Sequence, residues 1–307
     1  MVAEKGILLL FDCEEKNKMF DILINPLSGK GKSLQALKTV ETILIGKQIP
    51  YEVHKTTRAG QATEIVAELN QKDECNLIVM GGDGTFNEAL NGIVDFSKIT
   101  VGFIGCGTGN DYIKATNIPK DPQKALELIL KGEVGYTDFI QLDEKRALNT
   151  AGAGMDVDIL CRYAEMKAFH GKNKYYAALL DVVAHLKYHQ MEIERDGKVE
   201  KHSIIIASAS NGKYIGGGML ISPNSDVNDG LMDVVLVHEA RGFAKIKLLL
   251  QFLKGKHLGS KYVETFRCKE FNATLLDENE KTQVDGEVSP AQNLHCILMH
   301  DVLKTYK

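Results

Sequence analysis

Gly81-Gly82-Asp83-Gly84-Thr85-Phe86-Asn87-Glu88 follows directly on Asn76-Leu77-Ile78-Val79-Met80, a short apolar run bounded by polar residues. Such a run reads as a buried strand. After the glycines, Phe86, Leu90 and Ile93 have helical spacing, which predicts a helix starting near Thr85 or Phe86. Strand, glycine turn and helix start together present free backbone N–H groups to an anion. Glycine also lets the backbone approach a phosphate where a Cβ would block it. Asp83 sits among these glycines. A carboxylate beside a phosphate is unfavourable unless a cation lies between, so Asp83 points to Mg2+. A plain strand-to-helix turn needs fewer of these features.

Upstream, Met19 to Asn25 reads as the first strand, and a helix follows Asn25-Pro26-Leu27-Ser28-Gly29-Lys30-Gly31-Lys32-Ser33 to about Lys47. Gly31-Lys32-Ser33 resembles the end of a P-loop, but that motif needs a glycine where Pro26 stands, so the match fails. A phosphate-facing turn at a helix start is the expectation, with Ser28 as hydroxyl and Gly29 for close approach. Tyr51–Thr56 is a second strand and Ala59–Leu69 a helix. Downstream, the strand Thr100–Ile104 ends in a second glycine-rich turn, Gly105-Cys106-Gly107-Thr108-Gly109-Asn110-Asp111. Glycine turns at the carboxyl ends of three strands in one α/β layer converge on one crevice. A helix over Asp121–Lys131 and a strand over Val134–Leu142, containing Asp138, complete an open α/β domain.

The pattern changes after about residue 142. Asn149–Asp156 is glycine-rich, and a helical stretch runs from Lys174 to about Tyr188. β-rich runs follow at Met191–Arg195, Lys201–Ala209, Leu231–His238, Tyr262–Phe271 and Thr282–Val284, with Asp196-Gly197 as a hairpin signal. Gly242–Lys256 reads as an amphipathic helix with Phe243, Ile246, Leu249, Leu250 and Leu253 on one side and Lys245, Lys247, Lys254 and Lys256 around it. It packs on the sheet or touches a membrane. Two further stretches look chemical: Asn211-Gly212 with Gly216-Gly217-Gly218 and Pro223 through Asp233, and Asp285-Gly286-Glu287. His295 and His300 read as strand or loop residues rather than ligands.

Composition bounds the rest. The 307 residues suggest two domains or one large one, and 44% hydrophobic with 25% charged residues fits a globular chain with a real core. A net charge of −4 gives no global electrostatic case for nucleic acid. The six cysteines are scattered without a CxxC pair, which fits a reducing cytosol. No apolar run approaches the ~18 residues of a membrane span. Gly6–Phe11 is too short for a signal peptide core. Residues 1–18 therefore read as a leader of unknown role, with Met19 as a second candidate start.

Taken together, Asn25–Gly29, Gly81–Glu88, Gly107–Asp111, the glycine triplet, Asp226–Asp233 and Asp285–Glu287 resemble the diacylglycerol kinase catalytic family in its bacterial soluble lipid kinase branch. Sphingosine and ceramide kinases are relatives, and NAD kinases share Gly-Gly-Asp-Gly-Thr. Asn87-Glu88 directly after it favours the lipid kinase side. The resemblance covers residues 19–307. It implies an α/β plus β-rich fold, with an N-terminal open α/β ATP-binding domain at 19–142. A larger, mostly antiparallel, β-sandwich-like domain follows at 143–295, and 296–307 is a tail returning to the first domain.

By motif match, the resemblance places ATP contacts at Asn25, Pro26, Leu27, Ser28, Gly29, Thr56, Gly82, Asp83, Gly84, Thr85, Phe86, Asn87, Glu88 and Thr108. It makes Glu287 the catalytic base beside Asp83. It also implies a structural Mg2+ on Asp226, Asp229 and the Leu231 carbonyl, with a water chain to Asp138. The implied activity is Mg2+-dependent transfer of the ATP γ-phosphate to the hydroxyl of diacylglycerol, giving phosphatidic acid. Another lipid alcohol (sphingosine-like, ceramide-like or monoacylglycerol) or NAD is the alternative acceptor, and a non-catalytic binding protein is a third reading. The implied partner is a lipid substrate met in transient peripheral contact at the inner face of the membrane, from the cytoplasm. The expectation includes no nucleic acid partner and leaves room for a homodimer.

Overall fold

The structure is a computed structural model that describes residues 18–167, 171–195 and 197–307, with the side chains of 171–173 excepted. The leader apart from Lys18, and Asp196 of the hairpin signal, lie outside the described residues, as does part of the lysine-containing stretch Lys167–Lys174. The chain divides into two units. The first comprises the described residues through Thr137 together with Asp301–Lys307, and the second is Asp138–His300.

The first unit alternates strand and helix: β1 (Phe20–Ile24), α1 (Lys32–Gly46), β2 (Tyr51–Lys55), α2 (Gln61–Leu69), β3 (Cys75–Gly81), α3 (Asp83–Asn91), β4 (Ile99–Gly105), α4 (Asp111–Ala115), α5 (Pro122–Leu130) and the start of β5 (Val134–Leu142). The strands pair in parallel in the order β2-β1-β3-β4, and Thr305 adds a parallel partner to Val101. Every residue of β1 and β3 is buried, as a parallel sheet covered on both faces requires. Ile22, Ile24, Ile78 and Met80 pack against Val40 and Leu44 of α1 and Leu126 and Ile129 of α5. The strand order reverses between β1 and β3, so a crevice opens there at the strands' carboxyl ends. Helix α3 begins at Asp83, earlier than the apolar spacing indicates. Its first turn is polar and Gly82 is its extended N-cap, so the periodicity of Phe86 and Leu90 registers only the later turns.

The second unit is built from the remainder of β5 with β6 (Lys145–Ala147), β7 (Thr150–Gly154), α6 (Met155–Glu165), α7 (Gly171–Ala184), β8 (His189–Arg195), β9 (Lys198–Ser210), β10 (Tyr214–Ile215), β11 (Met219–Leu220), β12 (Met232–His238), α8 (Phe243–Leu253), β13 (Val263–Cys268), β14 (Glu270–Leu275), β15 (Lys281–Val284), β16 (Glu287–Pro290) and most of β17 (Asn293–Tyr306). The long strand β9 is its centre, pairing antiparallel with β8, β7 and β12. Ile140, Met191, Ile204, Val234, Phe271 and Leu294 form one apolar layer. Met155, Ile159, Leu179, Ile205, Leu248 and Phe252 form another, where the helices cover the sheet. Arg195 pairs with Lys198 across the antiparallel β8–β9 pair.

The structure adds detail to three stretches of this unit. The run Tyr262–Phe271 is two strands, because β13 pairs with β12 while β14 pairs with β8 and β17. The glycine-rich stretch at 149–156 is a strand running into helix α6. Glycine is needed at position 154 by a φ of +107°, and a Cβ there would lie 2.5 Å from the Ile205 carbonyl oxygen. Helix α8 turns its other face inward: Leu248 and Phe252 are buried, while Phe243 is 91%, Ile246 52%, Leu250 51% and Leu253 50% exposed.

Candidate active site

Three loops interlock at the carboxyl ends of β1, β3 and β4. Asn25 donates its backbone N–H to the Met80 carbonyl at 3.2 Å and its Nδ2 to Thr85 Oγ1 at 3.4 Å. Cys106 and Gly107 both donate to the Gly81 carbonyl, at 2.7 and 3.1 Å. The approach is closest where glycine stands. A Cβ on Gly29 would lie 2.0 Å from the Cys106 carbonyl oxygen, and one on Gly107 would lie 2.5 Å from the Gly82 Cα. Gly29, Lys30 and Gly31 are all left-handed, which curls the loop back towards the start of α1. Ser33 holds that curl by donating its hydroxyl to the Asn25 and Pro26 carbonyls at 2.8 and 3.1 Å. At α3, the N-cap Gly82 brings no side-chain cap to compete with an anion at the helix start.

Asp83 stands at this helix start. Burial pushes its carboxyl pKa up, and the neighbouring Asp111 pushes the same way, against hydrogen bonds from backbone N–H groups. One of these is the Tyr112 N–H, at 3.1 Å from Oδ1. Asp111 is itself paired with Lys114 at 2.9 Å. The two neighbouring carboxylates form a hard-oxygen donor set, which fits Mg2+ bound through carboxylate and phosphate oxygens.

The other expected ATP contacts divide by where their side chains point. Leu27 is 83% exposed, and Thr108 and Gly84 are exposed as well. Thr56 is buried at the end of β2 and donates its N–H to the Ile24 carbonyl at 2.9 Å. Asn87 is buried and accepts at Oδ1 from Asn91 at 3.1 Å. Phe86 is wholly buried, its ring 5.0 Å from that of Phe103 and 6.5 Å from that of Tyr112, so its side chain belongs to the core. Glu88 accepts the Ala62 N–H at 3.2 Å, so its carboxylate caps α2.

In the second unit, Asp285-Gly286 is a two-residue hairpin turn with φ +48° and +91°, the type I′ pattern, joining Val284 to Glu287 across β15 and β16. The Asp285 carboxylate accepts the N–H groups of Leu148, Asn149 and Thr150 at 2.7, 2.9 and 2.9 Å. Its own N–H donates to the Thr150 carbonyl at 2.9 Å. Glu287 emerges from this anchored turn with an exposed carboxylate.

The acidic loop is also in this unit. Asp226 accepts the Asn228 N–H and Asp229 the Leu231 N–H, each at 3.1 Å. Arg267 pairs with Asp229 and, at 3.5 Å, with Asp233. Three carboxylates, Asp226, Asp229 and Asp233, thus surround one guanidinium. That excess of carboxylates over cations fits a hard cation at Asp226, Asp229 and the Leu231 carbonyl. Asp138 is joined to the loop directly: its Oδ2 accepts the Gly230 N–H at 2.8 Å, and its Oδ1 pairs with His300 Nδ1 at 2.7 Å. Arg267 and His300 carry no local motif, and only their tertiary partners mark them. Among the described residues, the one three-residue group with metal-ligand spacing is Asp21, Glu52 and His54. There Lys72 already sits 2.9 and 2.8 Å from the two Asp21 oxygens, so a cation is in place.

The arrangement defines a phosphotransferase, with glycine-lined N–H donors beside an acid suited to a metal–phosphate. Residues 20–142 match the family described as the diacylglycerol kinase catalytic domain, and residues 149–304 match the YegS C-terminal NAD kinase beta sandwich-like domain. A diacylglycerol kinase of Bacillus subtilis is 30% identical over 277 residues, covering 87% of this chain and 88% of its own. One from Mycobacterium tuberculosis is 28% identical, covering 80% and 82%. A probable lipid kinase YegS-like protein of Shewanella frigidimarina is 28% identical, covering 79% and 80%. A solved diacylglycerol kinase structure from Bacillus anthracis has the same fold, with a TM-score of 0.70 at 21% identity over 94% of this chain and 96% of its own. The chain belongs to the diacylglycerol kinase family, and its activity is that of an ATP-using lipid kinase.

Proposed function

We propose that this kinase phosphorylates diacylglycerol to phosphatidic acid with Mg2+ as the metal, from a peripheral position on an anionic membrane face. The names of the B. subtilis and M. tuberculosis relatives support the acceptor. The observation that carries the membrane reading is the outer face of α8. Phe243, Ile246, Leu250 and Leu253 recur at helical spacing and are all at least half exposed, beside the exposed lysines Lys247, Lys254 and Lys256. Bulky apolar side chains ringed by lysine fit the boundary of an anionic bilayer. Among the described residues, no helix is long and apolar enough to cross a membrane.

In this reading the N–H groups at the starts of α1 and α3 hold the ATP phosphates, and Asp83 holds the metal. Bound Mg2+ supplies charge neutralisation on the phosphate oxygens. The lipid hydroxyl oxygen forms a bond to the γ-phosphorus while the bond to the β–γ bridging oxygen breaks, and ADP leaves. Glu287 takes the hydroxyl proton. A second Mg2+ on Asp226, Asp229 and Leu231 would order the loop that Asp138 holds.

The test is one labelled-ATP assay in mixed micelles across diacylglycerol, monoacylglycerol, sphingosine, ceramide and NAD. Diacylglycerol should give the highest kcat/KM. A higher value on any other acceptor overturns the substrate assignment. In the same assay Glu287→Gln should lower kcat by about 10²–10⁴-fold with ATP affinity unchanged. A fall of less than about tenfold removes Glu287 as the base.

A further inference from the structure

Beneath the Asp285-Gly286 turn lies a buried polar pair that phosphoryl transfer as described leaves unused. Gln283 is 3% exposed and Asp156 8%. Gln283 donates from Nε2 to Asp156 Oδ2 at 3.1 Å and to Thr150 Oγ1 at 3.4 Å, while its Oε1 accepts the Gly286 N–H at 2.8 Å. Room for the pair is made by Gly152, where a Cβ would lie 2.7 Å from Asp156 Oδ2 and 3.3 Å from Gln283 Nε2.

An amide has an accepting end and a donating end, and something must decide which faces the turn. Asp156 decides it, because a carboxylate can only accept from Nε2 when ionised. Burial pushes the Asp156 carboxyl up to about 6, and hydrogen bonds from the Val157 N–H and the Gln283 amide work against that rise, so the ionised form still prevails at neutral pH. The accepting end is thereby aimed at Gly286, the residue immediately before Glu287. In a two-residue turn this N–H is outside the strand ladder, and without Gln283 nothing in the β15–β16 pairing would fix it.

We propose that Gln283 is a positioning residue for Glu287, acting through the Gly286 N–H, with Asp156 setting the orientation of its amide. This rests on Glu287 being the base. Asp285 holds the first turn residue, but with the Gly286 N–H released the second could shift and carry the carboxylate from the attacking hydroxyl, and misplacement of a reacting group by about 1 Å costs up to about 10²-fold in rate. Gln283 touches no substrate in this account, so its loss should appear in kcat and leave ATP binding alone.

The experiment is a double-mutant cycle with a swap, in the full-length chain and the mixed-micelle assay. Gln283→Leu should lower kcat at least about tenfold with KM for ATP within about twofold. Gln283→Glu should also lower it, because two carboxylates then face each other. Gln283→Glu combined with Asp156→Asn restores a donor–acceptor pair with the roles reversed, and should recover most of the loss. In a Glu287→Gln background, Gln283→Leu should cost nothing further. Near-native kcat in Gln283→Leu overturns the proposal, as does a loss that multiplies with Glu287→Gln. A near-native Glu287→Gln enzyme removes the base assignment beneath it, which is a distinguishable failure. Should Gln283→Leu not fold, hydrogen exchange in the native protein decides. A protected Gly286 amide supports the clamp, and one exchanging at the free-peptide rate overturns it.

Discussion

His189 gives the sharpest test of the second unit. Its ring is buried, with Nε2 3.1 Å from Asp158 Oδ2 and Nδ1 2.9 Å from Glu280 Oε1. Both nitrogens face carboxylates, and only the imidazolium can donate to both. Burial opposes that charge, but the hydrogen bonds and charges of Asp158 and Glu280 outweigh it and carry the pKa from 6.5 to about 9. A folded-state pKa above the unfolded one contributes stability that is fully present below about pH 6.5 and is lost as pH rises through about 9. The rise corresponds to roughly 3 kcal/mol, fading by about 1.4 kcal/mol for each pH unit between those limits. His189→Gln removes the charge and keeps much of the volume. The chain has no tryptophan, so urea unfolding is best followed by circular dichroism. Native and variant proteins should differ by about 3 kcal/mol at pH 6 and converge near pH 10. A gap of the same size at both pH values would refute the imidazolium bridge and leave only lost packing.

Three further outcomes follow. Asp83→Ala should fold and lose turnover, because its carboxylate serves the metal rather than the core; near-normal activity in the folded variant would sink that role. Asp229→Ala should lose most activity while still binding ATP, whereas a mere cap and ion pair would cost only about 1 kcal/mol of stability and little rate. Lys247→Glu with Lys254→Glu should weaken binding to anionic vesicles, each lysine contributing roughly 1 kcal/mol, and native binding should fall with salt. Salt-independent sedimentation with vesicles would assign the contact to Phe243 and its apolar neighbours alone.

The first unit was largely legible in its sequence because its strands are continuous apolar runs and its turns carry local chemistry. Gly81 to Thr85 needs no tertiary knowledge to be read as an anion cradle. The start of α3 was displaced because apolar periodicity is silent in a polar first turn. The second unit was harder to read. Tyr262–Phe271 looks like one strand, and only the change of neighbours at Lys269 divides it. The amphipathic pattern of α8 was visible, but its burial ran opposite to the apolar count: the sheet took Leu248 and Phe252, and the larger stripe was left outward. Gln283 and Arg267 were illegible for a simpler reason. A lone glutamine or arginine in a strand is ordinary, and the carboxylates they meet, Asp156 and Asp229, are more than thirty residues away in the chain.

The last residues of β17 belong to the first unit. Tyr306 is buried with its ring 6.2 Å from that of Phe20, and its hydroxyl donates to Asn76 at 2.7 Å. Thr305 pairs with Val101, and the Lys307 N–H donates to the Glu133 carbonyl at 3.0 Å. During synthesis, then, the α/β unit that emerges first from the ribosome cannot close its sheet until the whole β-rich unit has been translated. Its open edge beside β4 is exposed for that interval, when an unpaired strand edge is most prone to pairing with other chains. A nucleotide site assembled early would sit on an unfinished sheet, so catalytic competence should arrive only once Thr305 and Tyr306 have taken their places beside β4 and Phe20.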